Sequence, residues 1–145
     1  MNEIRSILYA EDNPNDVELT LAALAEHNLA NEVVVVGDGA DAIDYLKCRG
    51  RFQGRPPVNP AFILLDLKMP KVDGLEVLKI VKGDPALHTI PVVMLTSSRE
   101  EQDLARSYET GVNSYVIKPV SFQDFVEVVR LLGLYWTVHN HPPKQ

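Results

Sequence analysis

Five short apolar runs punctuate the chain: Ile7-Leu8-Tyr9-Ala10, four valines at 33–36, Phe62-Ile63-Leu64-Leu65, Val92-Val93-Met94-Leu95 and Tyr115-Val116-Ile117. Each run is almost wholly aliphatic or aromatic, without the in–out alternation of a strand that shows one face to water. That pattern predicts parallel strands buried on both faces. Between the runs, apolar residues recur at helical spacing, giving a βαβα rhythm. Strands are expected over 4–10, 32–36, up to Asp66, over 91–95 and over 113–117. Helices are expected over 14–29, with Pro14 in the first turn and Val17, Leu21, Leu24 and Ala25 on one face, and over 39–48, capped by Asp38 and turning Ala42, Ile43 and Leu46 inward. A polar loop with Pro56, Pro57 and Pro60 runs from about Arg49 and excludes regular structure. A third helix starts at Leu75 and buries Val77, Leu78 and Val81. A fourth, around 100–110, presents Leu104 and Tyr108, and the last, from 122, buries Phe125, Val126 and Val129. The expected fold is α/β, a doubly wound five-stranded parallel sheet with five helices.

In such a sheet, side chains just past the carboxyl ends of the strands share one crevice. Glu11 and Asp12 follow the first run, Asp66 the third, Thr96 the fourth and Lys118 the fifth. Three carboxylates facing one lysine cannot all stay ionised cheaply, so the expected remedy is a divalent cation. The arrangement suits a metal and a phosphoryl group.

Size and charge narrow the field. A chain of 145 residues, 46% hydrophobic, supports one domain with its own core. A net charge of −6 argues against nucleic acid as the main partner. Arg49, Arg51 and Arg55 form the one basic cluster and read as a solvated loop. The single cysteine, Cys48, and the lack of a signal-peptide pattern or long apolar stretch predict a cytoplasmic protein with no membrane segment.

The chain resembles the receiver domains of two-component response regulators over residues 4–132. The resemblance rests on Glu11-Asp12, on Leu64-Leu65-Asp66-Leu67-Lys68-Met69-Pro70 leading to Asp73-Gly74, on Leu95-Thr96-Ser97, and on Lys118-Pro119. It implies a flavodoxin-like sheet in the order 2-1-3-4-5. Asp66 is then the phosphoacceptor for a sensor histidine kinase, and the chain is a signalling protein whose only chemistry is self-catalysed phosphotransfer and dephosphorylation. Mg²⁺ is held by Glu11, Asp12, Asp66 and the main-chain carbonyl of Lys68, with Glu11 acting largely through a metal-bound water. Lys118, before a cis Pro119, contacts the phosphoryl oxygens. Thr96 and Tyr115 form the switch, and Lys68 and Ser98 occupy positions that tune the access of water.

The loop over 49–60, the Gly111-Val112-Asn113-Ser114-Tyr115 turn and the Leu134-Tyr135-Trp136-Thr137 tail further resemble the single-domain regulators paired with phytochrome-type kinases, so a bacteriophytochrome is the narrower expectation for the partner. The 133–145 tail and the last helix are expected to contribute to a homodimer, with no output domain following.

Other readings stay on the table. Glu11-Asp12 can be a solvated helix-start pair with Asn13 as cap, Thr96 a buried strand end, Lys118 a strand-end lysine, and Tyr115 a ring packed on the sheet edge. Gly37-Asp38-Gly39 fits a relaxed dinucleotide fingerprint but reads as a turn and helix cap. His139 and His141 read as solvated. A haloacid-dehalogenase-type phosphatase is disfavoured by Lys68 where an aspartate general acid belongs. A receiver-shaped binding module without phosphotransfer is the remaining rival.

Overall fold

The computed structural model describes residues 6–25, 33–69, 71–99, 101 and 111–131. The strands are β1 (Ile7–Ala10), β2 (Val33–Val36), β3 (Phe62–Asp66), β4 (Val92–Thr96) and β5 (Ser114–Ile117). All are parallel, in the order β2-β1-β3-β4-β5, with Ala10 opposite Leu65, Asp66 opposite Leu95 and Thr96 opposite Ile117. Register therefore brings the carboxyl ends of β1, β3, β4 and β5 to one edge, as the apolar runs predict.

Four α-helices lie among the described residues: α1 (Pro14–Ala25), α2 (Gly39–Leu46), α3 (Gly74–Gly83) and α4 (Phe122–Leu131). Of the helix expected over 100–110 only Glu101 is described, and the tail from 133 and the side chain of Val129 fall outside the described residues. The strands bury both faces. Leu8, Ala10, Ile63, Leu65, Val92 and Met94 pack with Ala42, Ile43 and Leu46 of α2 and Val77, Leu78 and Val81 of α3. Ile7, Tyr9, Phe62, Leu64, Val93 and Leu95 pack with Leu24 of α1 and Phe125 and Val128 of α4. Two of the described helices on each face make the sheet doubly wound, and no described helix is long and apolar enough to cross a membrane.

Several local expectations need correction. Ala25 is exposed and Thr20 is buried in its stead, because the Tyr9 hydroxyl reaches up from β1 and bonds the Thr20 hydroxyl at 3.2 Å. On α4, Val128 is buried and Val126 only half so. The loop after α2 contains a 3₁₀ turn, Gly50–Phe52. Arg55 is not a solvated charge: its guanidinium lies 3.8 Å over the Tyr45 ring, and it donates to the carbonyls of Tyr45 (2.7 Å), Pro56 (2.7 Å) and Val58 (3.1 Å). It staples the proline-rich segment to α2. Arg49 and Arg51 do stay at the surface, paired with Asp44 and Asp41.

Candidate phosphoacceptor site

The ladder continues just beyond the strands and so fixes the first residue past each of three of them. The Glu11 amide donates to Val36 O at 3.0 Å, Leu67 to Leu95 O at 3.0 Å and Lys118 to Thr96 O at 2.7 Å. Glu11 and Asp66 are buried, 2% and 3% exposed, whereas Asp12 is exposed. One oxygen from each of the three lies within 4.8 Å of the others. Lys118 reaches into this group: its Nζ is 3.2 Å from Asp66 Oδ1 and 3.4 Å from Glu11 Oε1. The Lys118–Pro119 peptide is cis.

The Asp73-Gly74 pair acquires a physical reason. Asp73 caps α3 through Glu76 N at 3.0 Å. Gly74 opens that helix so close to β3 that a Cβ there would meet Asp66 O at 2.3 Å, while its amide donates to Leu67 O at 2.9 Å. Only glycine lets α3 begin against the backbone of Asp66.

Electrostatics reflect this crowding. Burial, reinforced by the neighbouring Asp66 carboxyl, pushes Glu11 up to about 7. Burial also raises Asp66. For Lys118, burial alone would lower the ammonium's pKa, but Asp16, Asp66 and Glu11 together outweigh it and hold the group well above its ordinary value. Without a metal the carboxyl pair keeps a proton to higher pH than free carboxylates do.

Thr96 is fully buried, and its hydroxyl has no hydrogen-bond partner among the described residues. An orphaned hydroxyl at the edge that carries Asp66 is a donor awaiting an acceptor. Tyr115, opposite Met94, is half-buried and packs on the α2/α3 side of the sheet.

The solvated helix-start reading of Glu11-Asp12 is half right. Asn13 does cap α1, accepting from Asn15 N at 2.8 Å and Asp16 N at 3.2 Å, yet Glu11 turns inward rather than to solvent. Lys68 is exposed, and its ammonium pairs with Glu101 at 3.3 Å. Glu101 accepts from Ser97 N at 2.8 Å and donates its own amide to Ser98 Oγ at 3.2 Å. Sequence reasoning missed Glu101, although the Ser98-x-x-Glu101 spacing is a capping signal. It also missed Asp16, whose Oδ2 is 3.0 Å from Lys118 Nζ. No signal in the sequence ties those two, 102 residues apart.

The family model described as the response regulator receiver domain matches residues 7–130. The chain belongs to the response regulator receiver family. It is similar to the bacteriophytochrome response regulator AtBRR, whose solved structure is 59% identical, with a TM-score of 0.89 over 97% of this chain and 100% of that one. It is 40% identical to a probable methanogenesis regulatory protein, FilR2, of Methanothrix harundinacea, over 94% of this chain and 86% of that protein. The Mn²⁺-bound form of response regulator Rcp1 is 36% identical, with a TM-score of 0.71, covering 97% of this chain and 99% of that one. This receiver domain is thus homologous to phytochrome response regulators and takes the sheet order found in its own strands.

Proposed function

We propose that Asp66 accepts a phosphoryl group from a sensor histidine kinase of the phytochrome class. The observation that carries the reading is the buried Asp66 carboxylate ion-paired to Lys118, with Glu11 and Asp12 alongside. In the transfer, an Asp66 oxygen bonds to phosphorus as the bond from phosphorus to the kinase histidine nitrogen breaks, and the histidine leaves with that electron pair. A carboxylate is nucleophile enough for this when the charge on the phosphoryl oxygens is neutralised. Lys118 supplies one positive charge, and the Thr96 hydroxyl donates a hydrogen bond to a phosphoryl oxygen.

The donor set fits Mg²⁺: hard oxygens, few of them, from three carboxyl groups that converge within 4.8 Å, two of them buried. Glu11, Asp12, Asp66 and the Lys68 carbonyl would hold the ion, with Glu11 acting largely through water. When bound, it supplies electrostatic stabilisation of the transferring group. Similarity to AtBRR supports the phytochrome-type partner.

The reading extends to the whole chain. The receiver spans 1–132 and works in the cytoplasm. Its own site carries out both the phosphotransfer and the later dephosphorylation. Phosphorylation draws in Thr96 and lets the Tyr115 ring turn, which changes the outer surface, and the last helix with the 133–145 tail joins two copies into a homodimer.

The test is intact-mass measurement after incubation with acetyl phosphate, with and without Mg²⁺, beside Asp66→Ala. A Mg²⁺-dependent phosphoryl adduct that requires Asp66 is expected. Turnover of small phosphate esters without an adduct would point to a phosphatase, and neither adduct nor turnover to a binding module.

A further inference from the structure

An ammonium has three N–H donors. Among the described residues, three carboxylates surround that of Lys118: Asp16 at 3.0 Å, Asp66 at 3.2 Å and Glu11 at 3.4 Å. Glu11 and Asp66 also belong to the cluster that offers oxygens to a cation, and Asp16 lies outside it. A divalent ion and an ammonium that draw on the same two carboxylates repel one another, and the ion carries the larger charge. Asp16 is then the one carboxylate of the three that the lysine does not share with the ion.

Asp16 is well set for that task. It sits in the first turn of α1, which the Asn13 side chain caps immediately after the acidic pair. The buried Tyr9 hydroxyl, which bonds Thr20 and reaches Glu11 Oε1 at 3.5 Å, also lies 3.4 Å from the Asp16 carbonyl oxygen. The Asp16 backbone is thereby referenced to β1, the strand that delivers Glu11. Its side chain is 25% exposed, at the rim rather than the floor of the crevice.

We infer that Asp16 is a positioning residue for Lys118, holding the ammonium beside Asp66 when a cation has taken up the Glu11 and Asp66 oxygens. It acts through Lys118 alone. The inference rests on the proposed phosphoacceptor role of Asp66 and adds to it a residue on a different element from the acidic pair.

A double-mutant cycle tests it, using wild type, Asp16→Asn, Lys118→Ala and the double variant, each shown folded by thermal unfolding. The rate of adduct formation from acetyl phosphate at saturating Mg²⁺ is read by intact mass. Asp16→Asn slows it about ten-fold when Lys118 is present, about 1.4 kcal/mol, and less than about two-fold in the Lys118→Ala background. In parallel, the Lys118 ε-methylene signals are followed by NMR during a Mg²⁺ titration. They stay at their restrained position in wild type and move to free-lysine values in Asp16→Asn. An equal effect of Asp16→Asn in both backgrounds, no effect in either, or lysine signals indifferent to Asp16 would overturn the inference. Absence of any adduct on wild type would instead sink the phosphoacceptor reading, and the NMR titration would still decide whether Asp16 holds the lysine.

Discussion

The Lys118 ammonium lies 3.2 Å from Asp66 Oδ1, an ion pair that joins the ends of β5 and β3 across the end of β4. The pair is not self-sufficient, because Glu11 is equally buried beside it and its negative charge is only partly answered. Replacing Asp66 by Asn therefore does two things at once. It removes the nucleophile, so the phosphoryl adduct is lost. It also relieves the repulsion with Glu11, so in a chelator the variant is expected to be more stable than wild type by roughly 1 kcal/mol. Urea unfolding with EDTA checks this, and a clear loss of stability would mean that the Lys118 ion pair outweighs the repulsion.

Stability without metal should depend on pH through the same carboxyls. Glu11 is raised from 4.5 to about 7 in the folded chain, so between those values the native state holds a proton that the unfolded chain has released. The contribution is fully present below about 4.5 and is lost as pH rises through about 7. Mg²⁺ competes with that proton, so its apparent affinity should rise over the same interval. Unfolding midpoints at pH 5, 6, 7 and 8, with EDTA and then with Mg²⁺, should diverge as pH rises.

Thr96→Val keeps the shape of the side chain and removes a hydroxyl that is buried without a partner among the described residues. Since no hydrogen bond is broken, stability should be unchanged or rise by up to about 1 kcal/mol. The cost should appear only after phosphorylation, as a lost shift of the Tyr115 ring signals by NMR. A variant destabilised by several kcal/mol would show that the hydroxyl is bonded in the resting protein.

Gly74→Ala places a methyl 2.3 Å from Asp66 O, a main-chain atom that cannot rotate away. Either α3 or the end of β3 must move, at an expected cost of about 1–3 kcal/mol and with slower adduct formation. Arg55→Ala serves as its counterpart. It removes the staple on the proline-rich loop, costing about 1–2 kcal/mol, but should leave the adduct rate alone. Measuring both properties on both variants separates damage to the site from damage to the scaffold.

What the sequence disclosed, and what it withheld, divides along physical lines. Continuous apolar runs specify buried parallel strands, and the residues that end such runs must meet at one edge, so Glu11, Asp66, Thr96 and Lys118 were legible from the chain alone. Asp16 was not, because its partnership with Lys118 depends on how α1 packs against the end of β5, 102 positions along the chain, and no local spacing encodes that. Arg55 was misjudged for a similar reason: in sequence it is one of three nearby arginines, and only the fold supplies the Tyr45 ring beneath it. Gly74 was recognisable as part of a motif, but the reason for it lies in the Asp66 carbonyl, a neighbour eight positions away that sequence does not reveal as close.

The two cores also impose a parity on the strand ends. Glu11 continues the row of Ile7 and Tyr9, Asp66 that of Phe62 and Leu64, and Lys118 that of Val116, all on the side covered by α1 and α4. Thr96 continues the row of Val92 and Met94, and Tyr115 packs on that same opposite side. The acidic pocket and the Thr–Tyr pair therefore grow from rows on opposite faces of the sheet and meet at its carboxyl edge, where β1, β3, β4 and β5 end side by side. One residue of register slip in β4 would turn Leu95 and Thr96 to the opposite faces and move the hydroxyl along the edge away from its place between Asp66 and Lys118, so the register of β4 is as much a part of this site as any of its charges.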